Sequence, residues 1–152
     1  MSQRTALYFA LVAAVLVLAA TAAAPPEDPW TPTQVITPEQ LAKELSSPHK
    51  PIIVSVAFRR LYENAHIPGS VYFGAGRDPL ALENLKEWAK SVPKTANVVI
   101  YCGCCPWDHC PNVRPAFQAL KEMGLTHLRV VEMPNDFGKD WVEKGFPVEK
   151  GK

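Results

Sequence analysis

The stretch "NVVIYCGCCPWDHCPN", residues 97–112, decides how the rest of the chain is read. After Asn97 it runs Val-Val-Ile-Tyr, β-branched and aromatic residues that favour a short buried strand. The strand then gives way to a loop holding every cysteine of the chain: Cys102, Cys104, Cys105 and Cys110, with His109 beside the last. Thiols this concentrated fit three chemistries. They can be a soft-metal site, a set of disulfides, or a nucleophile with helpers, and the surroundings have to choose.

On either side of this stretch the chain alternates strand and helix signals. "IIVSVAF", residues 52–58, and "HLRVVEM", residues 127–133, are short apolar runs of the kind that form buried strands, and "SVYFG" from Ser70 is a shorter one. Thr37-Pro38-Glu39-Gln40 opens a helix with a cap, a first-turn proline and the Gln of a capping box, and Leu41 and Leu45 then share a face. Between Asp78 and Pro93, Leu80, Leu85, Trp88 and Val92 outline a second helix. Phe117, Leu120 and Met123 outline a third, stopped by Gly124, and "FGKDWVEKG" reads as a last one. Strands alternating with helices predict an α/β fold with a central, mainly parallel sheet and helices on both faces. Ligands bind at the carboxyl ends of such strands, which is where the cysteine loop begins.

Composition bounds the rest. A chain of 152 residues, 47% hydrophobic and 20% charged, has room for one domain with a full core. Residues 1–24 stand apart: Arg4, an apolar run from Ala6 to Ala20, then small residues ending at Ala24, the layout of a signal peptide. This predicts an exported, periplasmic or secreted protein. If residues 6–24 stay uncleaved they anchor the chain, and membrane contact is expected through that segment alone. Residues 25–36 read as a proline-rich, extended lead-in, and residues 37–150 as the domain. The formal net charge is +1, and losing the leader with Arg4 brings it to zero. Without a basic run or aromatic-basic alternation, nucleic acid is excluded as a partner. Export also places the cysteines where disulfides persist.

Three further segments, in order, carry a resemblance. "AHIPGSVYF" at residues 65–73, "VVIYC" at 98–102 and "DFGKDWVEKGFPV" at 136–148 resemble the rhodanese family of sulfurtransferase-like domains, from Thr37 to about Lys150. The resemblance implies a three-layer rhodanese-like fold. It makes Cys102 the position matching the family's active-site cysteine and implies sulfur transfer from thiosulfate or another sulfane-sulfur donor. It also implies His66 as a packing and hydrogen-bonding residue. The chain departs from the family in two places. Ser55 and Ala57 stand where an Asp and an Arg are usual, and the loop from Cys102 to Arg114 is enlarged and rich in cysteine and proline.

The sulfurtransferase reading needs a thiolate at a strand end facing the amino end of a helix, where backbone N–H groups favour the anion. Cys102 is then the nucleophile that holds a persulfide, and Cys104, Cys105 or Cys110 a resolving or disulfide partner. Arg114 and His109 are expected to bind the substrate, Arg114 through an anionic donor, with His109 also able to tune a thiolate. The partners are a small sulfur compound or a thiol acceptor protein, and no cofactor is required. Pro106, Pro111 and Pro115 lack N–H donors, however, and make a poor cradle for thiosulfate. Cys110, just before the helix start at Pro111-Asn112, rivals Cys102 because the helix dipole acts there most strongly. The metal reading takes Cys102, Cys104, Cys105, Cys110 and His109 as ligands for copper(I) or an iron–sulfur cluster in a binding module without catalysis, and the same loop could instead be presented to a partner protein. The disulfide reading pins the loop through Cys104 or Cys105 and Cys110.

Overall fold

The computed structural model describes residues 27–151, so the proposed leader and anchor, residues 1–24, lie outside the described residues. Five strands form one sheet: β1 (Val35–Ile36), β2 (Ile52–Ser55), β3 (Val71–Tyr72), β4 (Asn97–Tyr101) and β5 (His127–Val131). Their order is β1-β5-β4-β2-β3, and every pairing is parallel. β4 takes the centre because Val98, Val99, Ile100 and Tyr101 are all buried, giving it apolar side chains for both faces.

Four helices connect the strands: α1 (Pro38–Leu45), α2 (Arg59–Asn64), α3 (Pro79–Ser91) and α4 (Val113–Glu122). Alternation within β4 splits the core in two. Val98 and Ile100 pack under α3 and α4 with Leu85, Phe117 and Leu120, whereas Val99 and Tyr101 face α1 and the closing segment with Leu41, Phe137 and Trp141. The three-layer architecture is therefore as the alternation predicts. α1 starts at the expected box: Gln40 N–H donates to Thr37 Oγ1 at 3.2 Å, and Thr37 N–H donates to Gln40 Oε1 at 2.8 Å.

Local details differ from the sequence reading. The edge strand β1 falls inside residues 25–36, so this lead-in is partly sheet: Val35 and Ile36 pair with Val130 and Val131. A two-residue strand is too short for periodicity to reveal. α2 was also unforeseen, being too short to show a face. In α3 the buried face runs through Ala81, Leu85 and Ala89, with Val92 buried just past its end, while Leu80 is exposed. Small Ala81 lets the helix approach Gly74, whose own Cβ would come within 2.7 Å of the Ala81 Cβ; close approach outranks side-chain size here. The expected last helix is a single five-residue π-turn, Gly138–Val142, that plants Trp141 in the core, its Nε1–H donating to Pro147 O at 2.8 Å.

Candidate active site

β4 ends at Tyr101, so Cys102 leaves a rigid, central strand at its carboxyl end. Gly103 follows at φ +69°, a conformation that favours glycine, and a Cβ there would meet Phe137 Cβ at 2.7 Å and Met133 Sδ at 2.8 Å. Its carbonyl accepts from Phe137 N–H at 3.0 Å. This turn folds the loop back over the strand end and brings distant thiols together. The Sγ atoms of Cys102, Cys104 and Cys110 all lie within 4.8 Å of one another. All four cysteines are free. Cys102 and Cys110 are 3% and 5% exposed, with Cys104 half-buried.

Cys105 and His109 stand outside this trio. Cys105 Sγ lies 3.1 Å from Cys104 Sγ and points on to the His109 carbonyl at 3.8 Å. His109 is exposed on a single 3-10 turn, Trp107–His109. Arg114, expected to bind an anionic donor, is committed elsewhere. Its Nε–H donates to Asp28 at 2.7 Å, its Nη1 to the carbonyls of Trp107 and Cys110, and its guanidinium sits over the rings of Trp30 and Trp107. The lead-in is thereby strapped across the cysteine loop.

Asn112 is the residue the sequence reading missed. It occupies the N-cap of α4 but makes no side-chain cap. Its Oδ1 accepts from Arg77 N–H at 3.2 Å, which leaves Nδ2 to donate to Cys102 Sγ at 3.4 Å and Cys104 Sγ at 3.3 Å. Gly76 makes room, since a Cβ there would strike Asn112 O at 2.1 Å. The sequence carries one faint signal, an Asn at a helix start, and capping explains that signal equally well.

The three sulfurs do not share charge evenly. Hydrogen bonds from the Cys102 and Cys104 thiols hold Cys110 well below the ordinary cysteine range, helped by the backbone N–H groups of Asn112 and Val113 at the start of α4. Cys104's hydrogen bond pulls Cys102 downward, but the competing bond and charge of Cys110, with burial, outweigh it and push Cys102 up. Cys104 is pushed up chiefly by its hydrogen bonds with Cys102 and Cys110. One anion thus rests on Cys110, with two thiols turned toward it.

Beside the cluster lies a cavity of about 420 Å³ at the carboxyl ends of β2 and β4, reached by Cys102 and Cys104 but not by Cys110, Cys105 or Arg114. Leu61, Tyr62, Phe137 and Val142 give it apolar walls. Among the described residues no Lys, Arg or His side chain lines it, and Asp136 is its one charged group. Ser55, at the position where the family usually has an Asp, lines its floor with a buried Oγ that has no hydrogen-bond partner.

A parallel three-layer sheet presenting a strand-end cysteine beside a helix amino end defines a thiol-bearing α/β domain, and the comparisons say which. Residues 37–133 match the Rhodanese-like domain family, and the chain belongs to it. Among solved structures, a rhodanese-like domain from Anabaena sp. is 22% identical with a TM-score of 0.56, over 77% of this chain and 79% of that one. A thiosulfate sulfurtransferase from Pseudomonas aeruginosa is 22% identical over 86% of this chain, TM-score 0.59, although the chain spans 21% of that longer protein. A polysulfide-sulfur transferase homodimer from Wolinella succinogenes is 16% identical with a TM-score of 0.53, over 76% of this chain and 77% of that one. These likenesses establish the fold. No curated protein matches the chain in sequence.

Proposed function

We propose that this domain transfers sulfane sulfur through a persulfide on Cys102. The observation that carries the reading is that Cys102 is fixed at the end of the central strand, lines an apolar-walled cavity at that end, and has the Cys110 sulfur within 4.8 Å to relay its proton. As Cys102 Sγ attacks the outer sulfur of a donor R–S–SH, the donor's S–S bond breaks and the Cys102 proton is relayed across the Cys110 sulfur to the departing R–S⁻. The products are Cys102–S–SH and R–SH, with Cys110 again the anion. An acceptor thiolate then removes the sulfur. Alternatively Cys104 attacks Cys102 Sγ, expelling hydrosulfide and forming a Cys102–Cys104 disulfide that two thiols of a reducing partner reopen.

The cavity favours an uncharged or weakly charged donor. Asp136 repels a dianion such as thiosulfate, and Arg114, the cation expected to bind one, is paired with Asp28 and does not line the cavity. An alkyl persulfide suits the apolar walls better. The leader pattern of residues 1–24 supports action outside the cytoplasm on a small sulfur compound or a thiol acceptor protein; sequencing the amino end of the mature protein from its host tests this part separately.

The main test treats reduced protein with an alkyl persulfide or with thiosulfate and locates the added sulfur by mass spectrometry. The expected result is sulfur on Cys102, formed faster from the alkyl persulfide. Sulfur mapping to Cys110 and persisting in Cys102→Ser would overturn the assignment.

A further inference from the structure

Three sulfurs at mutual distances within 4.8 Å exceed what a persulfide needs, since one nucleophile and one partner suffice. Their arrangement also has the features of a ligand set. Cys102, Cys104 and Cys110 come from a strand end, a glycine turn and the residue two before the α4 N-cap, so folding assembles the trio before any ligand arrives. Asn112 Nδ2 bridges two of the sulfurs, and the backbone N–H groups of Asn112 and Val113 serve the third, an outer shell that fixes the sulfurs and offsets negative charge. No carboxylate or imidazole joins the trio.

We propose that Cys102, Cys104 and Cys110 form a three-coordinate thiolate site for copper(I). The donor set selects the ion. All-sulfur ligation favours soft metals and excludes magnesium, calcium and manganese, which take oxygen. Zinc completes a tetrahedron with a fourth ligand. Cys105, the nearest further thiol, touches Cys104 and interacts with Cys110, but it lies outside the set of sulfurs within 4.8 Å of one another and so does not meet all three ligands. His109 is exposed and away from the trio. A polynuclear iron–sulfur core distributes its cysteines over several irons and does not fit between sulfurs this close. A single monovalent ion that accepts three ligands does. Binding releases the thiol protons to solvent, leaving three thiolates around one Cu⁺ with a net charge of two minus beside the positive end of α4. The ion enters through the cavity that Cys102 and Cys104 line.

The experiment titrates the reduced full chain, free of oxygen, with Cu(I) buffered by a competing chelator. X-ray absorption on the copper form counts the sulfur neighbours. The expected result is one Cu(I) per chain with three sulfur neighbours. Cys102→Ser, Cys104→Ser and Cys110→Ser should each weaken binding by more than the roughly 10- to 100-fold expected on removing the outer-shell donor with Asn112→Ala. Cys105→Ser and His109→Ala should leave it within about threefold, well below that outer-shell effect. A protection map on the unmodified protein guards against variants that fail to fold: with Cu(I) bound, Cys105 should still alkylate while the other three do not. Binding lost in Cys105→Ser, four sulfur neighbours, protection of Cys105, stronger retention of Zn(II) than Cu(I), or no binding beyond that of the denatured chain would each overturn the proposal. None of these outcomes depends on sulfur transfer, so the two readings fail separately.

Discussion

Residues 65–70 and the cysteine loop both adjoin Tyr101, and they treat their polar groups in opposite ways. In the first, each buried polar side chain has a partner. His66, 3% exposed, has Nδ1 at 2.7 Å from Tyr62 O and Nε2 at 3.6 Å from Glu149, and its ring stacks on Tyr62. Tyr101 OH accepts from Ile67 N–H at 3.1 Å and lies 3.3 Å from Ser70 Oγ. In the second, buried sulfurs face each other around a single charge. Satisfied polar groups lower the energy of one arrangement, whereas crowded thiols leave sulfur lone pairs and protons that an incoming donor or ligand can rearrange. The first region is built to stay put and the second to react.

That contrast breaks most visibly at the nucleophile. Cys102→Ser is expected to reduce persulfide formation roughly 1,000-fold or more while leaving the thermal melt nearly unchanged; stopped-flow mixing with an alkyl persulfide measures it. A residual rate within tenfold of the parent would move the chemistry to another sulfur.

The next effect is on pH dependence. Cys110's value is lowered, so its charge survives as pH falls below the ordinary cysteine range and is lost only on further acidification. The parent should therefore keep its thiolate ultraviolet absorbance, and its rate, into mildly acidic solution. In Cys110→Ser the α4 terminus no longer holds a thiolate, so the acid limb should move upward and the rate at neutral pH should fall about 10- to 100-fold. An unmoved limb would assign the charge elsewhere.

At His66 the expectation reverses. His66→Ala leaves a cavity and an unmatched Tyr62 carbonyl, a loss of about 2–3 kcal/mol in denaturant unfolding. The folded variant should nonetheless form persulfide within about threefold of the parent, since His66 does not line the cavity and meets it only through Tyr62. A collapse of rate without loss of stability would erase the distinction between the two regions.

The smallest effect concerns Arg114. Arg114→Ala removes the Asp28 pair and the stacking on Trp30 and Trp107, worth about 1 kcal/mol for partly exposed groups. Its ratio of thiosulfate to alkyl-persulfide rates should not change. A selective loss of the thiosulfate reaction would restore Arg114 to a donor-binding role.

Much of this was legible in the chain. The apolar runs at 52–55, 97–101 and 127–131 are strands because their side chains must be buried on both faces, and the Thr37–Gln40 box starts a helix through contacts three residues apart. Export of Cys102 to a strand end followed from the same periodicity. Short elements were not legible: β1 and α2 are held by neighbours far along the chain, as Val35 is by Val130.

The sequence by itself determined that four thiols follow one central strand, because that depends only on local order and on the period of burial. Which of them meet, and what serves them, was decided by tertiary structure alone. Cys105 drops out because the Gly103 turn sends Cys104 back toward both Cys102 and Cys110, whereas Cys105 interacts with Cys104 and Cys110 but stays outside the trio. Asn112 gains its role because Arg77 N–H occupies its carbonyl oxygen and turns its amide to the sulfurs. Arg114 leaves the donor site because Asp28 and two tryptophans from distant segments hold it. Each of these outcomes rests on contacts between residues far apart in sequence, where spacing carries no information about distance in space.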